Sequence, residues 1–329
     1  MTTKLVAGVV PAARPWAAGV PAFGPVRPGR AVTTRGNFCL GNSRWSRPST
    51  KATSLAPSSW LHAATTIDPA NQYAYGANLG WVDWRGDTNN GAVIGEYVCA
   101  GYIYSANAGW IHLGSNAPAN GIRYQNDSGT DYGVNHDGFG NLRGYAWGAN
   151  IGWINFEATG APTVDLLTGN LSGYAFSANC GWISLSNATA LLKTVAIRPG
   201  IDSDNDGLPD AWELQHWGNL RPLPSVDSDG DGRINLEEYL AGTDPSDTNS
   251  VLRITNMRRG FGGDPTRVDL VWTSEPTRFY AIEKLSAVGD TNVWSAHTVF
   301  PWMGVNNAAF NAPESQQFYR IRAFRPLMP

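Results

Sequence analysis

The chain has 329 residues, of which 42% are apolar and 16% charged, with 37 glycines, 14 tryptophans and a net charge of −3. This length suits two or three domains, and the apolar content excludes wholesale disorder. So few charges beside so many glycines and aromatics point to β-structure with tight turns, not to a helical enzyme.

Residues 1–64 form an odd leader. They carry Lys4, Arg14, Arg27, Arg30, Arg35, Arg44, Arg47 and Lys51 with no acidic residue, and are rich in Pro, Gly, Ala and Ser. Such a segment cannot bury enough apolar surface to offset its chain entropy. It reads as a disordered leader, a targeting segment or the product of an early start codon. The rest of the chain holds 16 basic against 27 acidic residues, so nucleic acid is not an expected partner. No apolar stretch reaches 18 residues, and no membrane span is expected.

Residues 65–193 contain one motif four times. Tyr73-Ala-Tyr-Gly-Ala-Asn-Leu-Gly-Trp81 returns as Tyr102-Ile-Tyr-Ser-Ala-Asn-Ala-Gly-Trp110, Tyr145-Ala-Trp-Gly-Ala-Asn-Ile-Gly-Trp153 and Tyr174-Ala-Phe-Ser-Ala-Asn-Cys-Gly-Trp182. The tryptophans are 29, 43 and 29 residues apart, so the array is also two larger units offset by 72. Ala-Asn-x-Gly tolerates the positive φ of a tight reversal, and its flanks are aromatic or β-branched, so each copy predicts a β-hairpin. Strand-like runs at 91–98, 132–142 and 163–171 predict three-stranded meanders, arrayed in an extended sheet or a closed, propeller-like form.

The period of two sorts the side chains. Val82/Trp84, Ile111/Leu113, Ile154/Phe156 and Ile183/Leu185 predict a core face. Trp81, Trp110, Trp153 and Trp182 fall on the other face, each followed two residues on by Asp83, His112, Asn155 or Ser184. Two readings stay open: a packing ladder capping Ala and Gly of the next unit, or platforms for sugar rings. Of the three cysteines, Cys99 and Cys180 occupy related parts of the repeat and are candidates for a disulfide; Cys39 is left over.

Residues 194–250 carry the acidity. Asp202-Ser-Asp204-Asn-Asp206-Gly207 followed by Glu213, and Asp227-Ser-Asp229-Gly-Asp231-Gly232 followed by Glu238, both fit a twelve-residue EF-hand-like loop. A hard cation with six to eight oxygen ligands needs carboxylates at positions 1, 3, 5 and 12, a glycine at 6 and a main-chain carbonyl at 7. Position 7 is Leu208 or Arg233; Asp210 and Asn235 at position 9 can bind directly or through water, and Ile234 at position 8 can pair with the sister loop. Short helices are predicted at 211–217 and 235–241, each stopped by Gly. The cofactor expected is Ca2+.

Arg198-Pro-Gly200 leaves no long helix entering the first loop, unlike a sensor EF-hand. The segment resembles instead thrombospondin type 3 repeats and dockerin-like loops of extracellular proteins. That resemblance implies structural calcium, a secreted or cell-surface location and dissociation constants of roughly 10⁻⁴–10⁻³ M. At about millimolar calcium each site then contributes on the order of 0.4–1.4 kcal/mol.

In residues 251–329, strands are predicted at 252–257, 267–273, 278–285, 293–300 and 317–324, resembling a small fibronectin type III-like β-sandwich. The order of the parts resembles secreted proteins of environmental bacteria. No HExxH, GxSxG or P-loop is present, and Arg85-Gly86-Asp87 is a short tripeptide of the kind that arises by chance. The fold expected is therefore mainly β: four hairpin or meander units, a two-loop calcium segment with short helices, and a small terminal sandwich. The function expected is non-catalytic, calcium-binding, and adhesive or structural, with another surface protein or polysaccharide as partner. Alternatives are a carbohydrate-binding module using the Trp face, or a polysaccharide hydrolase, which would need two carboxylates about 5–10 Å apart in a cleft.

Overall fold

The computed structural model describes residues 65–86, 89–285, 294–313, 318–325 and 327–328. The leader, Cys39 and Asp87 lie outside the described residues.

The first part is built from β1 (Ile67–Gly76), β2 (Gly80–Asp83), β3 (Val93–Ile94), β4 (Cys99–Ser105), β5 (Gly109–Gly114), β6 (Val134–His136) and β7 (Leu142–Gly148). It continues with β8 (Gly152–Asn155), β9 (Thr163–Val164), β10 (Asn170–Ser172), β11 (Tyr174–Ser177), β12 (Gly181–Ser184) and β13 (Leu192–Thr194). The four motif copies are the antiparallel hairpins β1–β2, β4–β5, β7–β8 and β11–β12. Each hairpin pairs with the next, and β12 returns to β1, with Gly76 opposite Ile183. The array is thus closed rather than extended, as one eight-stranded barrel and not a propeller. A sheet with one apolar face and two free edges hides both by curling onto itself, and eight strands leave an interior that side chains can fill.

The predicted core face lines that interior. Val82, Trp84, Ile111, Leu113, Ile154, Phe156, Ile183 and Leu185 are all buried, and the Trp84 and Phe156 rings meet edge to face at 6.4 Å. Between hairpins, Val82 faces Ser105, Ile111 faces Gly148, Ile154 faces Ser177 and Ile183 faces Gly76. A branched side chain therefore always meets a small one, which lets the hairpins approach equally.

Each reversal ends in a left-handed glycine: Gly80, Gly109, Gly152 and Gly181 have φ of +73° to +78°. The preceding asparagines do not take that conformation. Their side chains bridge to the neighbouring hairpin instead. Asn107 Nδ2 donates to Leu79 O at 3.1 Å, Asn150 Nδ2 to Ala108 O at 3.0 Å, Asn179 Nδ2 to Ile151 O at 3.0 Å and Asn78 Nδ2 to Cys180 O at 3.3 Å. The four bonds form a ring around one mouth of the barrel.

The extra strands of the predicted meanders are short. β3 and β6 pair with the far ends of β4 and β7, while β9, β10 and β13 extend the sheet from the start of β1. The expected disulfide is absent: Cys99 and Cys180 are both free thiols. Cys99 opens β4 whereas Cys180 sits in the ringed turn, so the length of a strand, on the order of 20 Å, separates their levels.

Next come α1 (Asp210–Trp217) and α2 (Asn235–Ala241), each closed by a left-handed glycine, Gly218 and Gly242. Six strands follow: β14 (Ile254–Arg259), β15 (Arg267–Trp272), β16 (Phe279–Leu285), β17 (Ser295–Val299), β18 (Asn307–Asn311) and β19 (Phe318–Phe324). They form two antiparallel sheets, ordered β14-β15-β18 and β17-β16-β19, sharing a cluster that includes Val268, Leu270, Trp272, Tyr280 and Ile282. Three strands in each sheet among the described residues differ from the seven of a fibronectin type III domain. The unpredicted strand is β18, Asn-Ala-Ala-Phe-Asn, whose weak β-propensity is overridden by pairing with β15.

The two-loop segment packs against both neighbours. Leu208, Trp212 and Tyr239 share an apolar cluster with Tyr97, Val98 and Tyr124 of the first part. The Tyr239 hydroxyl donates to the largely covered Glu96 at 2.9 Å, Glu96 is ion-paired with Arg325, and Arg278 Nη2 donates to the Tyr239 carbonyl at 2.8 Å.

Candidate metal centre

Both acidic loops fold as the cation chemistry requires. Carboxylate oxygens of Asp202, Asp204 and Asp206 lie within 4.8 Å of one another, and so do those of Asp227, Asp229 and Asp231. Backbone N–H groups hold them in place. Asp202 accepts from Asp206 N (3.2 Å) and Gly207 N (3.0 Å), and Asp227 from Gly230 N (2.7 Å) and Gly232 N (2.9 Å). Asp206, Asp229 and Asp231 each accept one N–H from two residues on. The sharp turns use Gly207 at φ +100° and Gly232 at φ +93°.

The twelfth position of each loop lies in the first turn of a helix, beside the aspartates. Glu213 and Glu238 are 0% and 1% exposed. Neither oxygen of Glu213 has a hydrogen-bond partner, nor has Glu238 Oε2; Asp206 Oδ2, Asp229 Oδ2 and Asp231 Oδ2 are buried and unpartnered as well. Glu238 Oε1 accepts only a 3.3 Å bond from Thr243. Among the described residues no basic side chain bonds these carboxylates. Burial, reinforced by the neighbouring aspartates, pushes Glu213 and Glu238 each up to about 7. Asp202 and Asp229 are also raised, first by burial. Buried anionic oxygens without donors are costly, and a cation at their focus removes the cost. The residues fit a hard divalent ion of the calcium type.

At position 9 both side chains bond the serine at position 2 of their own loop. Asp210 accepts from Ser203 N (2.7 Å) and Ser203 Oγ, and Asn235 Oδ1 accepts from Ser228 Oγ (2.8 Å) while its Nδ2 donates to Leu223 O (2.8 Å). These bonds brace the loops. The serines were not singled out from sequence, although Asp-Ser-Asp opening both loops is the signal. The loops are also not paired through Ile234. Among the described residues no β-bridge joins them, and each closes on itself, Asp210 N to Ile201 O and Asn235 N to Val226 O, both at 2.8 Å. Leu208 is buried, while the Arg233 side chain reaches Glu237 at 3.6 Å, leaving position 7 its main-chain carbonyl.

The four repeat tryptophans stand elsewhere, on the barrel exterior. Trp81 is 49% exposed, Trp110 47%, Trp153 38% and Trp182 46%. Each is wedged edge-on by two rings of its own hairpin, as Trp81 is by Tyr73 (5.9 Å) and Tyr75 (5.2 Å). Two rings of the same hairpin likewise contact Trp110, Trp153 and Trp182, edge-on or tilted, and Tyr132 adds a third ring edge-on to Trp153 at 4.9 Å. A Cβ on Gly86 or Gly160 would come within 3.1 Å of Trp110 or Trp182, so these two rings do lie over glycines of an adjacent segment.

Comparison with known families matches residues 202–218, the first loop and α1, to the bacterial TSP3 repeat. Comparison with the curated proteins and with the solved structures finds no match for the chain. Over those residues the chain is similar to a repeat of the calcium-binding type found in extracellular proteins.

Proposed function

We propose that the chain is a non-catalytic, extracellular calcium-binding protein with a structural or adhesive role, and that its calcium braces the junction between the barrel and the terminal sheets. The observation that carries this reading is the set of buried, donor-less carboxylate oxygens on Asp206, Glu213, Asp229, Asp231 and Glu238. The similarity of residues 202–218 to the bacterial TSP3 repeat supports both the ion and the location.

The structural role follows from what adjoins the twelfth ligands. Trp212 precedes Glu213 and Tyr239 follows Glu238; their rings lie 5.5 Å apart in the cluster shared with Tyr97 and Tyr124. Two ions, one on each glutamate, thereby hold the residues that join the segment to its neighbours. Calorimetric titration of the full chain with calcium, with thermal melts at each point, tests the reading. Two sites are expected, Glu213→Gln and Glu238→Gln each abolishing one. Absence of binding at millimolar calcium would overturn it.

A further inference from the structure

We propose that the terminal β-sheets hold an open place for one more strand, beside β19 and across from β14, and that an extended, acidic segment of a partner protein fills it. This goes beyond the calcium-dependent role and does not depend on it. In the β14–β15 ladder Ile254 stands opposite Trp272 and Met257 opposite Leu270, so all four side chains fall on one face. Trp272 and Leu270 are 2% and 1% exposed, whereas Ile254 and Met257 are 40% and 61% exposed. β14 therefore turns apolar side chains toward a facing sheet that does not reach it.

The facing sheet stops at β19. Ile321 pairs with Ile282 and Ala323 with Tyr280, which puts both on the core side, yet both are only partly covered. On the opposite side the two sheets meet, with His297 of β17 against Phe310 of β18 at 4.7 Å. The gap thus lies on the side of β14 and β19. Among the described residues no strand pairs with the outer edge of either, so backbone N–H and C=O groups there are left for an extended chain. The residues after β19 turn away from that edge. Arg325 goes to Glu96 and Tyr239, and Leu327 O accepts from Ile197 N at 2.8 Å beside the barrel core.

Charge selects the occupant. β14 and β19 carry Arg258, Arg259, Arg320 and Arg322 and no acidic residue. Arg320 and Arg322 lie two residues apart on the outer face, each about half exposed, and share the one carboxylate of Glu283 at 2.6 and 2.7 Å. Asp269 likewise accepts from Arg267 Nε at 3.0 Å while facing Arg258. Positive charge is in excess along the gap, so a strand with Asp or Glu on its outer face and apolar residues on its inner face fits it. Neither the leader nor a second copy supplies such a strand. Residues 1–64 hold eight basic residues and no acid, and antiparallel pairing of β19 with its own copy about Ile321 would set Arg320 opposite Arg322.

Fluorescence anisotropy of the full chain with a labelled peptide, Thr-Val-Glu-Val-Asp-Val-Glu-Val-Thr, tests the proposal. Saturable binding is expected. It should weaken about tenfold or more when lysine replaces each acid, or when alternate peptide nitrogens are methylated to remove the edge hydrogen bonds. Hydrogen exchange should slow at the β19 amides that face away from β16. Met257→Glu alters a side chain that is already exposed, so it leaves the fold intact, and it should weaken binding about tenfold or more. Arg320→Gln leaves Glu283 its bond from Arg322 and should weaken binding while flattening its salt dependence. Thermal melts check that both variants fold as the parent does. No binding at millimolar peptide, equal binding of the lysine or methylated peptide, no slowing along β19, or no effect of Met257→Glu would each overturn the proposal. So would a concentration-dependent dimer that the peptide dissociates, which gives the place to a second copy. Peptide binding seen only after residues 1–64 are cleaved away would give it to the leader and overturn the proposal as well.

Discussion

Asn78 Nδ2 donates to the carbonyl oxygen of Cys180 at 3.3 Å, across 102 residues of sequence. The first hairpin thereby bonds the last in the same way that each later hairpin bonds its predecessor. Closure is repeated in the backbone, where Gly76 faces Ile183 and Tyr75 faces Ser184.

Asn107→Ala removes a 3.1 Å bond to Leu79 O and should cost about 1 kcal/mol; Asn78→Ala, whose bond is longer and exposed, should cost less. Gly109→Ala at φ +75° should cost roughly 1–2 kcal/mol, because it forces a Cβ into the left-handed region. Urea unfolding of the three variants checks the order.

With calcium chelated, stability should fall as pH rises. Glu213 and Glu238 have folded values of about 7 against an ordinary 4.5, so the folded state holds their protons more tightly than the unfolded chain does. Their contribution is therefore greatest below about pH 4.5 and is lost as pH rises through 7. Calcium should erase this loss and release protons on binding near pH 6. Melts at pH 5 and 7.5 with and without chelator, and calorimetry in buffers of different ionisation enthalpy, measure both.

Cys99 should resist alkylation in the native protein while Cys180 reacts. Burial pushes the Cys99 thiol up to about 12, whereas Cys180 is only partly covered. Peptide mapping after iodoacetamide treatment at pH 8 distinguishes them, and a disulfide-linked peptide pair would contradict the fold.

Glu96→Gln should destabilise by about 3 kcal/mol, since it strips the largely covered Arg325 of its counter-charge. Tyr239→Phe removes one charge-assisted bond to Glu96 and should cost about 1.5–3 kcal/mol. If Tyr239 brings calcium occupancy to the junction, hydrogen exchange around Glu96 and along β19 slows on adding calcium in the parent and responds less in Tyr239→Phe.

Much of this was legible in the sequence because it is local. The alternation of Trp81-Val82-Asp83-Trp84 states which side chains point inward, and the spacing from Asp202 to Glu213 states where an ion would sit. The choice between the open and the closed array was not legible, because the pairing of Gly76 with Ile183 depends on how curvature accumulates over eight strands. The serine braces and the partnerless loops were missed for a related reason. A motif names its liganding positions, while Ser203, Ser228 and Thr243 bond a side chain five or seven residues away and coordinate nothing. The disulfide between Cys99 and Cys180 failed because related places in a repeat need not be near one another once the repeats are wrapped.

The pairing of Ile67 with Thr194 carries a different consequence. The polypeptide enters and leaves the barrel at adjacent points on one rim, so the unit's two connections to the rest of a chain lie side by side. It could be spliced into a surface loop of an unrelated host without prising that loop apart, and the host would gain a ringed, aromatic-faced knob on a narrow double stalk.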